Sequence, residues 1–177
     1  MKFYEDRYHT FFDHNIELDI TDEFQVARHD FSLNKDFVVI PEYLVYYSHP
    51  DGDFNLAGQM DLLVKKGNDI YIFDYKTNAK GISTKAYVDR KKNKKQMMYH
   101  PINNMDDHTL NHYTLQLSIY AWMLQQINPE LVIKQLTILH QDGDGIETVY
   151  PLEYRSEEVE KLIAYHAKQK KILRLRK

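Results

Sequence analysis

Ile70-Tyr71-Ile72-Phe73-Asp74-Tyr75-Lys76-Thr77 is an apolar run that closes on an acid and a base. Its β-branched and aromatic residues suit a strand. On a strand, a spacing of two puts the Asp74 carboxylate and the Lys76 ammonium on one face. Residues 56–65 read as a second strand, which carries Gly58-Gln59-Met60-Asp61. Lys66-Gly67-Asn68 between the two is a hairpin signal, so Asp61 returns to the neighbourhood of Asp74. Two acids and a lysine beside buried strands are costly to desolvate unless something pairs with them. A divalent cation is the simplest such partner; a surface ion pair is the plainer alternative.

Working outward, residues 37–47 are rich in β-branched and aromatic side chains and read as a strand, with Pro41 marking an edge or bulge. Pro50-Asp51-Gly52-Asp53 is a turn. Residues 78–108 read as a basic, polar loop. Leu110, Tyr113, Leu117, Tyr120, Ala121 and Leu124 recur at helical spacing, and Asn128-Pro129 ends that helix. Residues 131–140 and 146–152 read as strands around the turn Asp142-Gly143-Asp144-Gly145. Ser156 is placed as the N-cap of a last helix with Glu157 and Glu158 in its first turn and Val159, Leu162, Ile163 and His166 toward the core. At the other end, Tyr4, Tyr8, Phe11, Phe12 and Ile16 predict a helix over 4–18, while 21–34 fit either state. The order predicts an α/β or α+β domain with a central mixed β-sheet flanked by helices, spanning residues 1–177 as one domain.

The chain has 177 residues and no cysteine, which excludes disulfides, thiolate zinc sites and cysteine-ligated iron–sulfur clusters. His100, His108, His112 and His140 are not expected to form a zinc site. No apolar run is long enough to cross a membrane, and Met1-Lys2-Phe3-Tyr4-Glu5-Asp6-Arg7 lacks a signal-peptide pattern, so the expected location is the cytoplasm, that of the host if the chain is phage-encoded. The net charge of −3 hides an asymmetry: residues 1–60 hold 12 acids and 4 bases. The bases gather in two places. Lys85, Arg90, Lys91, Lys92, Lys94 and Lys95 stand against Asp89 alone, and residues 168–177 hold six bases and no acid. With Lys80, the first group forms a candidate phosphate-binding segment. The bland alternative is a solvated loop and a basic tail.

Magnesium and manganese take oxygen ligands from one or two carboxylates and leave room for a phosphate. Asp61 and Asp74 supply carboxylates, the backbone carbonyl of Tyr75 is a plausible third ligand, and Glu42 on the preceding strand adds another acid, directly or through water. Lys76 is placed to hold a water or to stabilise phosphoryl charge. Gln116 and Tyr120, four apart, put polar tips on one face of a mostly apolar helix.

In order, Gly58-x-x-Asp61, a hairpin, Asp74-x-Lys76-Thr77, a loop and Gln116-x-x-x-Tyr120 resemble the PD-(D/E)xK nuclease superfamily, and within it the RecB-like branch that includes Cas4-type and many phage exonucleases. The likeness covers about residues 37–125. It implies a restriction-endonuclease-like core and phosphodiester hydrolysis with one or two magnesium or manganese ions, and neither zinc nor an iron–sulfur cluster. It implies that Asp61 and Asp74 bind metal, that Lys76 is the catalytic lysine, and that Gln116 and Tyr120 form the branch motif. It further implies an upstream glutamate, for which Glu42 is the candidate, and an N-terminal histidine, for which His9 is the candidate and His14 its rival. The chain lacks the cysteines of the iron–sulfur members and has no fused helicase. The expected activity is an exonuclease-like action on single- or double-stranded DNA in recombination, repair or phage DNA processing, by the chain alone, as a homo-oligomer or with a recombination partner, and off the membrane. A flap or junction endonuclease and an inactive nucleic-acid-binding module are the alternatives.

Overall fold

The structure, a computed structural model, describes residues 37–52, 54–79, 81–91 and 93–175. The helix expected over 4–18, with His9 and His14, lies outside them, as do Lys80 and Lys92. Among the described residues, seven strands and two helices follow in order: β1 (Val38–Ser48), β2 (Asn55–Lys66), β3 (Asp69–Lys76), β4 (Val88–Asp89), β5 (Lys94–Lys95), α1 (Thr109–Ile127), β6 (Val132–Gln141), β7 (Glu147–Leu152) and α2 (Ser156–Leu175). Five strands form a mixed sheet in the order β1-β2-β3-β6-β7. β3 and β6 are parallel, with α1 inside the connection that two parallel neighbours require; the other pairs are antiparallel. The architecture is α/β, consistent with a restriction-endonuclease-like core.

The β2–β3 hairpin turns tightly because Gly67 takes a left-handed backbone (φ +58°), with Lys66 paired to Asp69 across the turn. Each face of the sheet buries its own cluster. Met60, Leu63, Ile70, Ile72, Leu136 and Ile138 pack with Leu117, Ala121 and Leu124 of α1 on one face. Phe37, Leu62, Val64, Phe73 and Leu139 form the other. α1 is capped by His108, whose ring nitrogen Nδ1 accepts from the Asn111 amide at 3.3 Å. It ends where the Asn128 amide donates to Leu124, one residue before Pro129. α2 begins on Ser156 itself rather than being capped by it, since the carbonyl of Arg155 accepts the Val159 amide. His166 is exposed and sets its ring against Phe54 instead of the core.

The region read as a loop has more structure than its polar composition suggests. β4 and β5 form a small antiparallel pair. Behind it, Met98, Ile102, Met105 and Leu115 make a third apolar cluster. No helix among the described residues is long and apolar enough to cross a membrane.

One irregularity sets up the site. β1 and β2 keep one register on both sides of Glu42 and Asp61, yet these two residues, which face each other in that register, are not paired. On the α1 face, β1 contributes Ile40 and then Tyr43, and β2 contributes Met60 and then Leu63. A three-residue step where alternation gives two means that each strand carries one extra residue, and both change face at this point. Glu42 absorbs the change with a positive φ of 50°. Pro41 stands beside it on the edge strand, as the sequence implied.

Candidate active site

The β2–β3 ladder ends at Leu62 and Phe73. Beyond it the Asp61 side chain takes over, and its Oδ2 accepts the Tyr75 amide at 2.8 Å. A carboxylate thus stands where a strand carbonyl would be, and the two strands part around it. In an extended strand the N–H and C=O of one residue point to the same side, so the Tyr75 carbonyl also faces this gap. Asp74 lies across the gap on the α1 face, 3% exposed. Lys76, two residues on, makes an ion pair with Asp74 Oδ2. That oxygen is buried and receives no well-directed hydrogen bond besides.

The electrostatics show how close these groups are. The Asp74 carboxyl is raised to about 6, mainly by burial, while the Lys76 hydrogen bond pulls it down and the charge of Asp61 pushes it up. Burial pulls the Lys76 ammonium down, but Asp74 and Asp61 outweigh this and leave it raised. Asp61, Asp74 and Lys76 therefore act on one another as a single cluster. Two carboxylates crowded together, one buried and one accepting the Tyr75 amide, form a donor set suited to a hard cation. Asp61 and Asp74 would hold it, with the Tyr75 carbonyl alongside. Among the described residues no three His, Cys, Asp or Glu converge as a metal group.

Glu42 stands opposite Asp61 in the β1–β2 register, but its side chain is exposed and its Oε2 accepts from Gln59 Nε2 at 3.4 Å, so it is not gathered into one group with Asp61 and Asp74. Helix α1 covers the cluster. Tyr113 lies under Lys76, with Nζ 4.9 Å from the ring centroid. One turn further, Gln116 Nε2 donates to Tyr120 Oη at 2.9 Å. The Tyr120 ring occupies the space above Gly58, where a Cβ would sit 2.2 Å from Cε1. This is the physical reason for glycine three residues before Asp61: the helix meets β2 backbone there. Gln116 and Tyr120 also line a cavity of about 680 Å³ with Leu56, Met98, Ile119 and Met123, and neither Asp61, Asp74 nor Lys76 reaches it.

The basic segment divides into two kinds of lysine. Lys85, Arg90, Lys91 and Lys94 are exposed. Lys95 is held by Asp106, and Gln96 donates to Asp107 at 2.7 Å, which fixes β5 to the start of α1. The Ser83 carbonyl accepts the Leu110 amide, so the segment is tied to α1 at its other end too. Three residues around Lys76 escaped the sequence reading. Tyr113 was legible only as an apolar helix position, although it stands one turn before Gln116. His140 joins the site through the β3–β6 pairing, which places it beside Lys76, and Asn78, two residues after Lys76, joins through its bonds to Tyr113 and His140; no local signal announces either.

The family profile of the PD-(D/E)XK nuclease superfamily matches residues 5–176, nearly the whole chain. The chain belongs to this superfamily. No curated protein matches it. Among solved structures it is similar to SSO0001, at 14% identity over 88% of this chain and 58% of that one, with a TM-score of 0.44. It is also similar to a candidate exonuclease from Eubacterium rectale, at 15% identity over 98% of this chain and 60% of that one, with a TM-score of 0.47. The chain therefore spans about three-fifths of the length of both. The superfamily is one of nucleases, and divalent metals are typical of its enzymes.

Proposed function

We propose that this chain is a magnesium- or manganese-dependent deoxyribonuclease of the RecB-like branch, exonuclease-like in action and folded as one catalytic domain. The observation that carries the reading is the meeting of Asp61, Asp74 and Lys76 at the parting of β2 and β3, under the helix that bears Gln116 and Tyr120.

When bound between the two carboxylates, one or two such ions would supply Lewis acidity toward a phosphoryl oxygen and neutralise developing charge. The residues of the chain do the rest. Asp61 and Asp74 hold and orient, and Glu42 adds negative charge at the edge. Lys76 carries the proton-donating ammonium that steadies the attacking water and stabilises the phosphoryl oxygens. Gln116 and Tyr120, bonded to each other on one face of α1, offer polar groups to the substrate where the helix meets β2 at Gly58. Lys85, Arg90, Lys91 and Lys94 receive the DNA backbone, a contact that conveys little sequence preference.

The test is incubation of the protein with end-labelled single- and double-stranded DNA and with circular single strands, in magnesium, manganese or chelator. Linear DNA is expected to be degraded with either metal and spared by chelator, while the circle stays intact. Cutting of the circle would replace the exonuclease with an endonuclease. A Lys76→Ala variant that folds, binds DNA and still degrades it at the normal rate would overturn the catalytic assignment.

A further inference from the structure

We propose that Tyr113 is a positioning residue: its ring face holds the Lys76 ammonium in the site when the Asp74 carboxylate is engaged elsewhere. The inference rests on the nuclease reading above and deepens it.

The need arises from the geometry. Among the described residues Lys76 is ion-paired with Asp74, and the same carboxylate is the buried donor of the proposed cation site. Ammonium and cation compete for it. A lysine released from its carboxylate is a four-carbon chain with free rotation, and nothing in the Asp74 pair would then keep it over the reacting phosphate. The Tyr113 ring supplies the second hold, with Nζ at 4.9 Å from the centroid, inside the range for a cation over an aromatic face.

The ring is itself fixed. Asn78 Nδ2 donates to Tyr113 Oη at 3.3 Å. The Asn78 backbone is held in turn, since His140 Nε2–H donates to its carbonyl at 3.2 Å. His140 is 2% exposed and sits in register with Lys76 on the neighbouring strand. A buried histidine on β6, the first residues after β3 and the second turn of α1 thus converge on the orientation of one ring. None of these three residues has an evident role in holding the carboxylates. Their shared effect is on the lysine.

The test uses the magnesium-loaded protein and two readouts. The first is NMR of lysine-labelled protein. The Lys76 ε-methylene protons should be shifted upfield by the ring, remain so when magnesium is added, keep the shift in Tyr113→Phe and lose it in Tyr113→Leu. The second is kinetic. Tyr113→Leu should lower kcat about tenfold with KM unchanged, whereas Tyr113→Phe, which keeps the ring, should stay within about twofold of wild type. In a Lys76→Ala background the leucine substitution should cost nothing more. A Lys76 signal without an upfield shift in the loaded wild-type protein would overturn the proposal, as would an undiminished kcat in Tyr113→Leu. Failure of the parent reading looks different: the wild-type protein would not cleave DNA at all, or Lys76→Ala would cleave it normally, whatever the NMR shift.

Discussion

Asp74→Asn should make the metal-free protein more stable at neutral pH while abolishing activity. The structure fixes the size of the effect. The carboxyl titrates near 3.8 when solvated and at about 6 in the folded chain, because burial opposes its charge more than Lys76 favours it. Between those values the folded state holds a proton that the unfolded state has released. The contribution of Asp74 to stability is therefore fullest below pH 3.8, falls as pH rises through the window, and levels off above about 6. A displacement of about two pH units corresponds to about 3 kcal/mol. The amide of the variant is nearly isosteric and does not titrate. It loses the Lys76 contact equally at every pH in the window, so the difference between the two profiles isolates the Asp74 charge. The assay is urea unfolding in chelator from pH 4 to 8. Wild type should lose about 3 kcal/mol more than Asp74→Asn over that range. Magnesium should then recover stability at pH 8 in wild type and not in the variant. Parallel profiles for the two proteins would refute the reasoning, since they would mean that Asp74 is solvated or fully compensated without a cation.

Gly58→Ala places a methyl inside the Tyr120 ring contour and should cost about 1–3 kcal/mol by overpacking, read as a lowered unfolding midpoint together with reduced activity. Glu42→Gly relieves a left-handed backbone and should add about 1 kcal/mol of stability; the same variant should bind magnesium less tightly in calorimetry if the Glu42 carboxylate contributes to the site. Lys94→Ala should lower the salt dependence of DNA binding by about one unit of slope. Lys95→Ala, which removes the partner of Asp106, should change that slope less and instead raise the susceptibility of the β4–β5 segment to proteolysis.

Much of this was readable from local pattern. The hairpin through Gly67, the β3 run into Asp74 and Lys76, and the helix ended by Asn128-Pro129 each depend on neighbours close in sequence, and each stands where the residues placed it. What was not readable depends on pairing across the fold. Residues 78–108 look polar because their described buried side chains, Ile82, Ala86, Met98, Ile102 and Met105, are spread without period: Ile82 packs into the main core, while Met98, Ile102 and Met105 cluster with Leu115 of α1. His140 looks like an ordinary strand histidine until β6 is laid beside β3. His108 serves as an N-cap, a task for which sequence patterns favour Ser, Thr, Asp or Asn. In the site, Asp61, Asp74 and Lys76 were legible because their spacing fixes their geometry. Tyr113 was hidden because an aromatic at a helical core position reads as packing.

The unpaired positions of Glu42 and Asp61 bear on how this chain tolerates insertions and deletions. Removing one residue at either position would shift the parity of that strand alone, so every inward side chain beyond the edit would turn outward while its neighbour kept its place. Only a matched edit, one residue from each strand, restores agreement, and it would delete both acids at once. Single-residue deletion scanning should therefore find a sharp intolerance at these two positions and, in the double deletion, a rescued sheet with a dead enzyme.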